Sequence, residues 1–340
     1  MPDPVNTIVD RIPLPANGVM SFDHFNDTIY CTGDAIRRIK LSTKEIAEIG
    51  PPARFSGAIA VVDFHRPFPV PPDVLGSGTP DGRIYIATIG KDFLSGGMVP
   101  WDDFEAVEIV PSLGDRQTQF KLSPQVASTF WPPVWSMVGS NDGRRLYYSD
   151  STTLMLGVVD LEGGPRTVGG YQLDSFSFSM VISPDDRFIY AAHPNTDSIS
   201  VVDTAAMFPA VRKVAVGNGP WGLALSGDGK RLFVAQSGLS GTGDQGTGTL
   251  TVLDTQTMAG MSVITGDQSI DVAVNSSGTR AYVSNTADGT VSVVDVTGTP
   301  AVIATITGLV SPSYVRMNDD DNRLYVLENS PNVGIAVVAV

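Results

Sequence analysis

The chain contains 340 residues, of which 42% are apolar and 17% are charged, and its formal net charge at pH 7 is −14. This acidic balance argues against nucleic-acid binding, because phosphates are bound by clustered Lys and Arg, and it disfavours anionic membranes as partners. The 35 glycines and 24 prolines indicate many tight turns rather than long surface helices.

The N-terminal sequence MPDPVNTIVD has neither the basic region nor the apolar region of a signal peptide. No apolar run approaches the roughly 18 residues that a membrane-spanning helix needs. We therefore expect a cytoplasmic protein, although a removed signal peptide would leave the same sequence. Cys31 is the only cysteine, which excludes an internal disulfide and a cysteine-cluster metal site. A buried strand residue is its simplest interpretation.

A short apolar phrase with a central aromatic residue recurs along the chain. In chain order the copies read TIYCTG (28–33), RIYIAT (83–88), RLYYSD (145–150), IYAAH (189–193), LFVAQ (232–236), AYVSN (281–285) and LYVLE (324–328). Three of them precede an apolar run that ends in Asp203, Asp254 or Asp295. From Tyr147 onward the aromatic residues are roughly 43 to 49 residues apart, a period that indicates a β-propeller with one four-stranded sheet per repeat.

The two ends of the chain complement each other. The last repeat stops after its third strand, whereas residues 5–14 have strand character and precede the first full repeat. We expect 5–14 to supply the outer strand of the last blade, which leaves no exposed sheet edge where the chain begins and ends. The prediction is an all-β, single-domain protein (1–340): a seven-bladed β-propeller of four-stranded antiparallel blades, closed by the N-terminal strand.

The repeat resembles that of the YVTN-repeat seven-bladed propellers, and AYVSN at 281–285 is the copy nearest to their signature. The chain is also similar to the wider group of seven-bladed lactonase-like propellers, which includes sugar lactonases and muconate-cyclising enzymes. The resemblance covers about residues 133–340 and implies the fold. The catalytic His/Arg/Glu set of the lactonase group cannot be placed on this sequence, so that activity is not carried over.

Four stretches exceed the minimal repeat and are predicted to be loop insertions: 64–80, 90–104, 112–133 and 236–249. The strand directions place the last three on one face of the propeller and 64–80 on the opposite face. Long loops on a rigid scaffold often carry function. For 236–249 a plain flexible linker explains the Gly/Ser/Thr content equally well.

Large aromatic residues occupy one equivalent position in three consecutive repeats. Aligned on the turn that follows the first strand, these residues are Trp135, Phe178 and Trp221, and Trp131 lies in the loop that leads to the first of them. The next position holds Asp271 and Tyr314 in two later repeats. An apolar concavity with a few polar groups is the usual form of a small-molecule site, so we predict one at the mouth of the central channel. The alternative is that these rings only pack between blades.

Polar residues end five successive copies of the phrase, on the same predicted face: Asp150, His193, Gln236, Asn285 and Glu328. For Asp150 and Asn285 the alternative is hydrogen bonding to turn backbone. His193 and Glu328 are poorer turn formers. A neutral imidazole near carboxylates can act as a general acid or base, so His193, Tyr314 and Asp150 are the candidate catalytic residues.

No motif for a metal or a cofactor occurs: HExxH, CxxCH, the Walker phosphate loop and the GxSxG elbow are all absent. The acidic run NDDDN (318–322) sits where other repeats carry SPDDR or SGDGK, and its spacing is not that of a calcium loop. We interpret it as an elaborated turn. The sequence therefore predicts neither a metal nor a cofactor.

Two functional hypotheses remain open. The first is a metal-independent, small-molecule-binding protein or enzyme for proton-transfer chemistry, such as lactone hydrolysis, isomerisation or cyclisation. Its ligand would have an apolar or aromatic part and would contact Trp131, the three aligned aromatic rings and the neighbouring polar residues, including Asp271, Gln236, Asn285 and Glu328. The second is a non-catalytic scaffold that binds a protein or peptide at the same face. The sequence leaves the oligomeric state undetermined.

Overall fold

The computed structural model describes residues 5–14, 20–23, 28–31, 36–49, 56–63, 82–89, 104–110, 116–123, 134–162, 164–206, 211–239, 247–329 and 334–340. For residues 22, 23, 56–63, 82–89, 104–110 and 116–123 it describes the backbone alone. Trp131, the predicted insertion 64–80 and most of the insertion 90–104 lie outside the described residues. The chain divides into two compact units, which we call the larger unit (Met1–Gly18 and Leu173–Val340) and the smaller unit (Val19–Gln172).

The strands are numbered in chain order, and β1 (Thr7–Pro13) belongs to the larger unit. The smaller unit contains three antiparallel sheets, each made of four consecutive strands. The first sheet is β2 (Met20–Asp23), β3 (Thr28–Cys31), β4 (Arg37–Lys40) and β5 (Glu45–Glu48). The second is β6 (Ser56–Asp63), β7 (Gly82–Ile89), β8 (Phe104–Val110) and β9 (Arg116–Ser123). The third is β10 (Val134–Gly139), β11 (Arg145–Asp150), β12 (Met155–Asp160) and β13 (Arg166–Gln172).

The larger unit contains three further sheets of the same kind and a composite one. The first is β14 (Ser179–Ile182), β15 (Phe188–His193), β16 (Ser198–Asp203) and β17 (Val211–Ala215), with a short 3₁₀ turn at Pro194–Thr196. The second is β18 (Pro220–Leu225), β19 (Arg231–Gln236), β20 (Thr249–Asp254) and β21 (Gly260–Ile264). The third is β22 (Ser269–Val274), β23 (Arg280–Asn285), β24 (Thr290–Asp295) and β25 (Ala301–Ile306). The composite sheet is β26 (Pro312–Met317), β27 (Arg323–Glu328), β28 (Gly334–Ala339) and β1.

The recurring phrase forms the second strand of its sheet, and its aromatic residue is a core residue. The exposed fraction is 7% or less for all five anchors, namely Tyr147, Tyr190, Phe233, Tyr282 and Tyr325. In the larger unit the core lies between neighbouring sheets: Tyr190 of β15, for example, packs in one cluster with Leu223 of β18 and Val234 of β19. The phrase is apolar on both faces of its strand because sheets cover both faces.

Polar turn residues repeat with the strands. Asp203, at the end of β16, accepts a hydrogen bond from the Ala205 N–H at 3.0 Å, and Asp254 and Asp295 make the same turn-closing contact after β20 and β24. In the NDDDN run the Asn318 amide oxygen accepts from the N–H groups of Asn322 and Arg323. This run is the turn between β26 and β27, as the sequence predicted.

The composite sheet joins the two ends of the chain. Strand β1 pairs antiparallel with β28, with Thr7 opposite Ala339 and Pro13 opposite Gly334, as expected from the strand pattern of residues 5–14. Arg11 of β1 contacts the buried Glu328 carboxylate through its Nε at 3.0 Å and the Gly308 carbonyl through its Nη2 at 2.7 Å. A buried carboxylate thus ties the N-terminal strand to the last repeat.

The predicted count of seven blades needs a correction. Among the described strands, consecutive segments form six four-stranded blades, from β2 to β25. The last repeat has only three strands before the chain ends, so its sheet is composite and takes its fourth strand from the N-terminus. The count is therefore six blades of consecutive strands, with one composite sheet beside them.

Part of a predicted insertion is regular structure. Within 112–133, residues 116–123 form β9, the fourth strand of their sheet, because β8 would otherwise lack a partner on that side. Only residues 119–122, QFKL, alternate between polar and apolar residues as a half-buried strand does, whereas residues 117–119 are all polar. In the described part of the chain no helix is long and apolar enough to cross a membrane.

We predict that Arg11→Met lowers the free energy of unfolding by about 1–3 kcal/mol, because it leaves a buried carboxylate without its cation. The Glu328 side chain is 0% exposed and the Arg11 side chain 42% exposed. Urea unfolding of wild type and variant measures the change. The matched control is Arg144→Met, whose partner Glu162 is exposed, and which should cost less than about 0.5 kcal/mol. Equal losses of stability in the two variants would show that the Arg11–Glu328 ion pair does not contribute more than an exposed one.

Candidate functional site

A β-bulge recurs near the start of the first strand of a sheet. In β18, Pro220 pairs with Gln236 and Gly222 pairs with Ala235, so Trp221 is an extra residue without a cross-strand partner. Ile270 takes the same place in β22. The register is also irregular in β10, at the consecutive residues Trp135 and Ser136, and in β26, at the consecutive residues Ser313 and Tyr314. A bulge redirects the side chain that it contains, which is why such a position can carry an exposed ring.

Two of the three predicted aromatic residues form a stack in the larger unit. The Phe178 and Trp221 ring centroids are 4.3 Å apart and their planes differ by 10°. Phe176 meets Phe178 edge-on, with centroids 5.2 Å apart and an interplanar angle of 77°. All three side chains are half-buried, so the cluster retains an accessible aromatic surface. Trp135 is also half-buried, but it belongs to the smaller unit.

Asp271, on β22, forms an ion pair with Arg316 of β26. The Asp271 Oδ2 atom accepts from the Arg316 Nη1 at 2.7 Å and from the Val315 N–H at 3.0 Å. The Asp271 side chain is 8% exposed and the Arg316 side chain 33% exposed. Burial raises the pKa of Asp271 above its usual value, and the neighbouring guanidinium opposes that rise.

Tyr314 completes this polar group. It is half-buried, and the Arg316 guanidinium carbon lies 5.8 Å from its ring centroid. Burial, assisted by the negative charge of Asp271, raises the pKa of Tyr314 to about 12. The hydroxyl group therefore keeps its proton at neutral pH and is a hydrogen-bond donor.

The aromatic stack and the polar group lie on, or directly before, first strands that are neighbours in the larger unit: Phe178 immediately precedes β14, and Trp221 is on β18. Strands β14, β18, β22 and β26 follow one another, each in contact with the next. Ser179 accepts a hydrogen bond from the Leu223 N–H at 3.2 Å, which links β14 to β18. Gly222 allows β18 and β22 to approach, because a Cβ atom there would lie 2.6 Å from the Asp271 Cα. Asp271 then connects β22 to β26.

His193 is fully buried at the end of β15, and both of its ring nitrogens have partners. Nδ1 lies 3.0 Å from the Phe176 carbonyl oxygen and Nε2 lies 2.7 Å from the Ser200 hydroxyl. Burial lowers the pKa of His193 below its usual value. In this arrangement the imidazole holds the segment that carries Phe176 and Phe178, and its catalytic role stays a prediction.

The other residues that end the phrase are buried as well and bond to neighbouring strands or turns. The Asn285 amide accepts from the Ser269 hydroxyl and donates to the hydroxyls of Thr290 and Ser292. The Gln236 Oε1 accepts from the Thr249 and Thr251 hydroxyls, whereas its buried Nε2 has no hydrogen-bond partner.

The carboxylates of Glu328 and Asp150 have different kinds of hydrogen-bond partner. Glu328 accepts from the Val310 N–H at 2.8 Å in addition to its contacts with Arg11. Asp150, in the smaller unit, accepts from the Thr152 and Thr153 N–H groups and so closes a turn, the alternative that its sequence context allowed. Contact of these polar residues with a ligand stays a prediction.

The structure brings together only part of the predicted site. Trp221, Asp271 and Tyr314 lie on neighbouring first strands, and Phe178 lies directly before β14. The buried His193 contacts the Phe176 carbonyl. Arg316 and Phe176 were not predicted. Arg316 could have been found by the same alignment of first strands, because it stands where two preceding sheets have Ala224 and Ala273.

This surface combines aromatic rings with hydrogen-bonding and charged side chains. It offers two stacked rings, one half-exposed guanidinium, one phenol that keeps its proton and one buried carboxylate. Among the described residues, no group of three or more His, Cys, Asp and Glu side chains could hold a metal ion.

No protein-family model matches the sequence, and no curated protein matches it. Solved structures do match. Hydrazine synthase of Kuenenia stuttgartiensis superposes with a TM-score of 0.71 at 14% identity, covering 96% of this chain and 96% of that chain. The β-propeller domain of Cps50 (Swd1) from Myceliophteria thermophila superposes with a TM-score of 0.68 at 11% identity, covering 98% and 99% of the two chains.

These likenesses establish the fold: the chain is an all-β protein with the β-propeller fold and four-stranded antiparallel blades. At 14% and 11% identity they say nothing about activity. The fold is shared by many proteins, since 1391 chains of solved structure match. Function must therefore be argued from the site itself.

We predict that His193 makes stability depend on pH. Its folded-state pKa is lowered, so the unfolded chain binds a proton more readily than the folded chain as pH falls below about 6.5. Stability is then lost on acidification from about pH 7 to about pH 5, by up to about 1.4 kcal/mol per pH unit. His193→Gln has no imidazole to titrate. The difference in the free energy of unfolding between wild type and this variant should therefore become smaller as pH falls.

Chemical unfolding at several pH values checks this expectation. Ser292→Ala is the control, because it removes a buried hydroxyl that bonds to Asn285 and no titrating group. Its stability difference from wild type should stay constant across the same range. A His193→Gln difference that is independent of pH would show that the imidazole does not titrate differently in the folded chain.

Proposed function

We propose that the chain binds a small molecule with a flat apolar or aromatic part, on the surface formed by Phe178 and Trp221. The parallel ring stack, 4.3 Å between centroids, is the observation that carries the proposal. Rings that only packed the protein interior would contribute most to stability if they were fully buried, yet both rings remain half-buried. A third flat group laid on the stack removes further apolar area from water.

The polar group on β22 and β26 gives this surface its directional contacts. Arg316 is held by the Asp271 carboxylate and by the Val315 carbonyl, each at 2.7 Å from its Nη1. The Tyr314 hydroxyl supplies a donor that keeps its proton at neutral pH. A few fixed polar groups beside an apolar surface are the usual source of orientation in a ligand site.

We further propose that any turnover at this surface is metal-independent proton-transfer chemistry, such as lactone hydrolysis, isomerisation or cyclisation. Tyr314 and Asp271 are the proton-transfer groups of the proposal, because both ring nitrogens of His193 already bond within the protein. Cytoplasmic localisation belongs to the same proposal.

A thermal-shift screen over lactones, aromatic acids and terpenoid-like compounds tests the binding function. We expect a specific compound to raise the melting temperature of wild type, since at about 100 times its Kd a ligand contributes about 2.7 kcal/mol. Trp221→Ala should lose the shift, and Trp221→Phe, which keeps a ring, should retain part of it. Val168→Ala on β13 is the control, because this exposed valine lies in neither proposed surface, and it should shift as wild type does.

Two outcomes would overturn this function. Trp221→Ala that shifts as much as wild type would remove the stack from the site. No shift with any compound, together with binding of a peptide or protein, would favour the scaffold hypothesis. For a compound that is consumed, Tyr314→Phe should lower kcat by roughly 100-fold or more while the thermal shift persists.

A further inference from the structure

The fourth strand of each sheet has one side without a partner strand in the described structure, and such edges usually carry a device that prevents pairing with another chain. Four of these strands contain a β-bulge. The extra residue is apolar in every case: Val9 in β1, Leu122 in β9, Val168 in β13 and Ile303 in β25. A bulge interrupts the regular spacing of backbone groups that a second strand would need.

Two further edges carry charges in place of a bulge. Strand β5 has Glu45 and Glu48 within four residues, and β17 has Arg212 and Lys213 at its centre. If either strand paired with its own copy, like charges would come together, which destabilises a strand pair.

Strand β21 has neither device. Its register with β20 is regular from Thr249 opposite Ile264 to Leu253 opposite Gly260. No charged residue and no proline occurs between Thr255 and Gly266. Met261 is 51% exposed and Ile264 65% exposed, so the edge is also apolar. On these grounds β21 is the edge most open to a partner strand among those described.

The backbone of β21 presents its free groups in a regular row. The Thr265 N–H bonds to the Gly248 carbonyl at 3.0 Å, and the Asp254 N–H bonds to the Ala259 carbonyl at 2.9 Å. Odd-numbered residues of this segment therefore bond to β20. By the alternation of an antiparallel ladder, the N–H and C=O groups of Gly260, Ser262 and Ile264 point away from it.

We propose that β21 pairs antiparallel with β21 of a second copy of this chain, which makes the protein a two-fold symmetric dimer. A second copy fits because two copies of this uncharged strand bring no like charges together, whereas β5 and β17 would, and because its regular register leaves the outward backbone groups free to pair. The strand is self-complementary: with Ser262 opposite its symmetry mate, Ile264 lies opposite the partner strand's small residue 260. This proposal does not depend on the proposed ligand site.

The neighbouring sheet extends the apolar surface. Strand β25 contacts β21, and its Val302 and Ile303 side chains are exposed. The strand pair itself is short, so the association should be weak and depend on concentration. Sedimentation equilibrium of the full chain between about 1 and about 500 µM covers the range in which such a dimer forms. We expect the mass to rise from that of the monomer, 35.9 kDa, to twice that value and no further.

Substitutions distinguish pairing through β21 from nonspecific association of exposed apolar residues. Ile264→Lys should raise the dissociation constant at least about tenfold, because it replaces an apolar contact of the strand pair by a charge that must stay solvated, and an edge lysine is a common barrier to strand pairing. Ile264→Pro removes an N–H that points outward and should weaken the dimer similarly, since edge strands tolerate such a proline. Val168→Lys on the bulged β13 is the matched control: it charges an equally exposed apolar position and should leave the dimer unchanged. Melting temperatures show that each variant is folded.

A wild type that stays monomeric across the whole range would overturn the proposal, even if the edge bound an extended peptide. The same holds if Ile264→Lys dimerises as wild type does, or if Val168→Lys disrupts the dimer equally. Growth beyond a dimer would also refute it, since a two-fold strand pair closes on itself.

Discussion

The candidate site depends on the buried polar side chains that end the second strands of the larger unit, such as His193 and Asn285. Asn285 bonds both to Ser269, where β22 begins, and to Thr290 and Ser292 on β24. His193 spans the corresponding distance between the Phe176 carbonyl and Ser200. A buried polar group that lost its partner would cost stability, so these bonds fix where each first strand begins. In β18, β22 and β26 the irregular register follows at once, and in β18 it sets the position of the Trp221 ring.

The site therefore has a supporting layer and a contact layer with different chemistry. The supporting layer consists of the side chains that end the second strands, which are buried and already bonded. The contact layer consists of Phe178, Trp221, Tyr314 and Arg316, which remain partly accessible. Asp271 belongs to both, because it is buried yet holds the guanidinium of Arg316. Preorganisation of this kind lowers the entropy lost when a ligand binds.

Much of the architecture could be predicted because the repeat is local. An aromatic anchor such as Tyr190 recurs together with the turn before it. The strand pattern of β1 also supplied the strand that the last repeat lacks. The strand within 112–133 was missed because its polar residues resemble a loop. The depth of each site residue could not be predicted. A strand end such as His193 looks accessible in sequence, and only the segment packed over it, at Phe176, buries it.

The composite sheet has a consequence for how the chain reaches its native state. Strands β26 to β28 can assemble with their sequence neighbours, but β1 pairs with β28 across nearly the whole chain, as Thr7 opposite Ala339 shows. Closing so long a loop costs conformational entropy that only this late contact repays. During synthesis β1 is made before the other described strands, and it has no native partner until β28 follows. Strand β1 is thus made early relative to its partner and reaches its native pairing late.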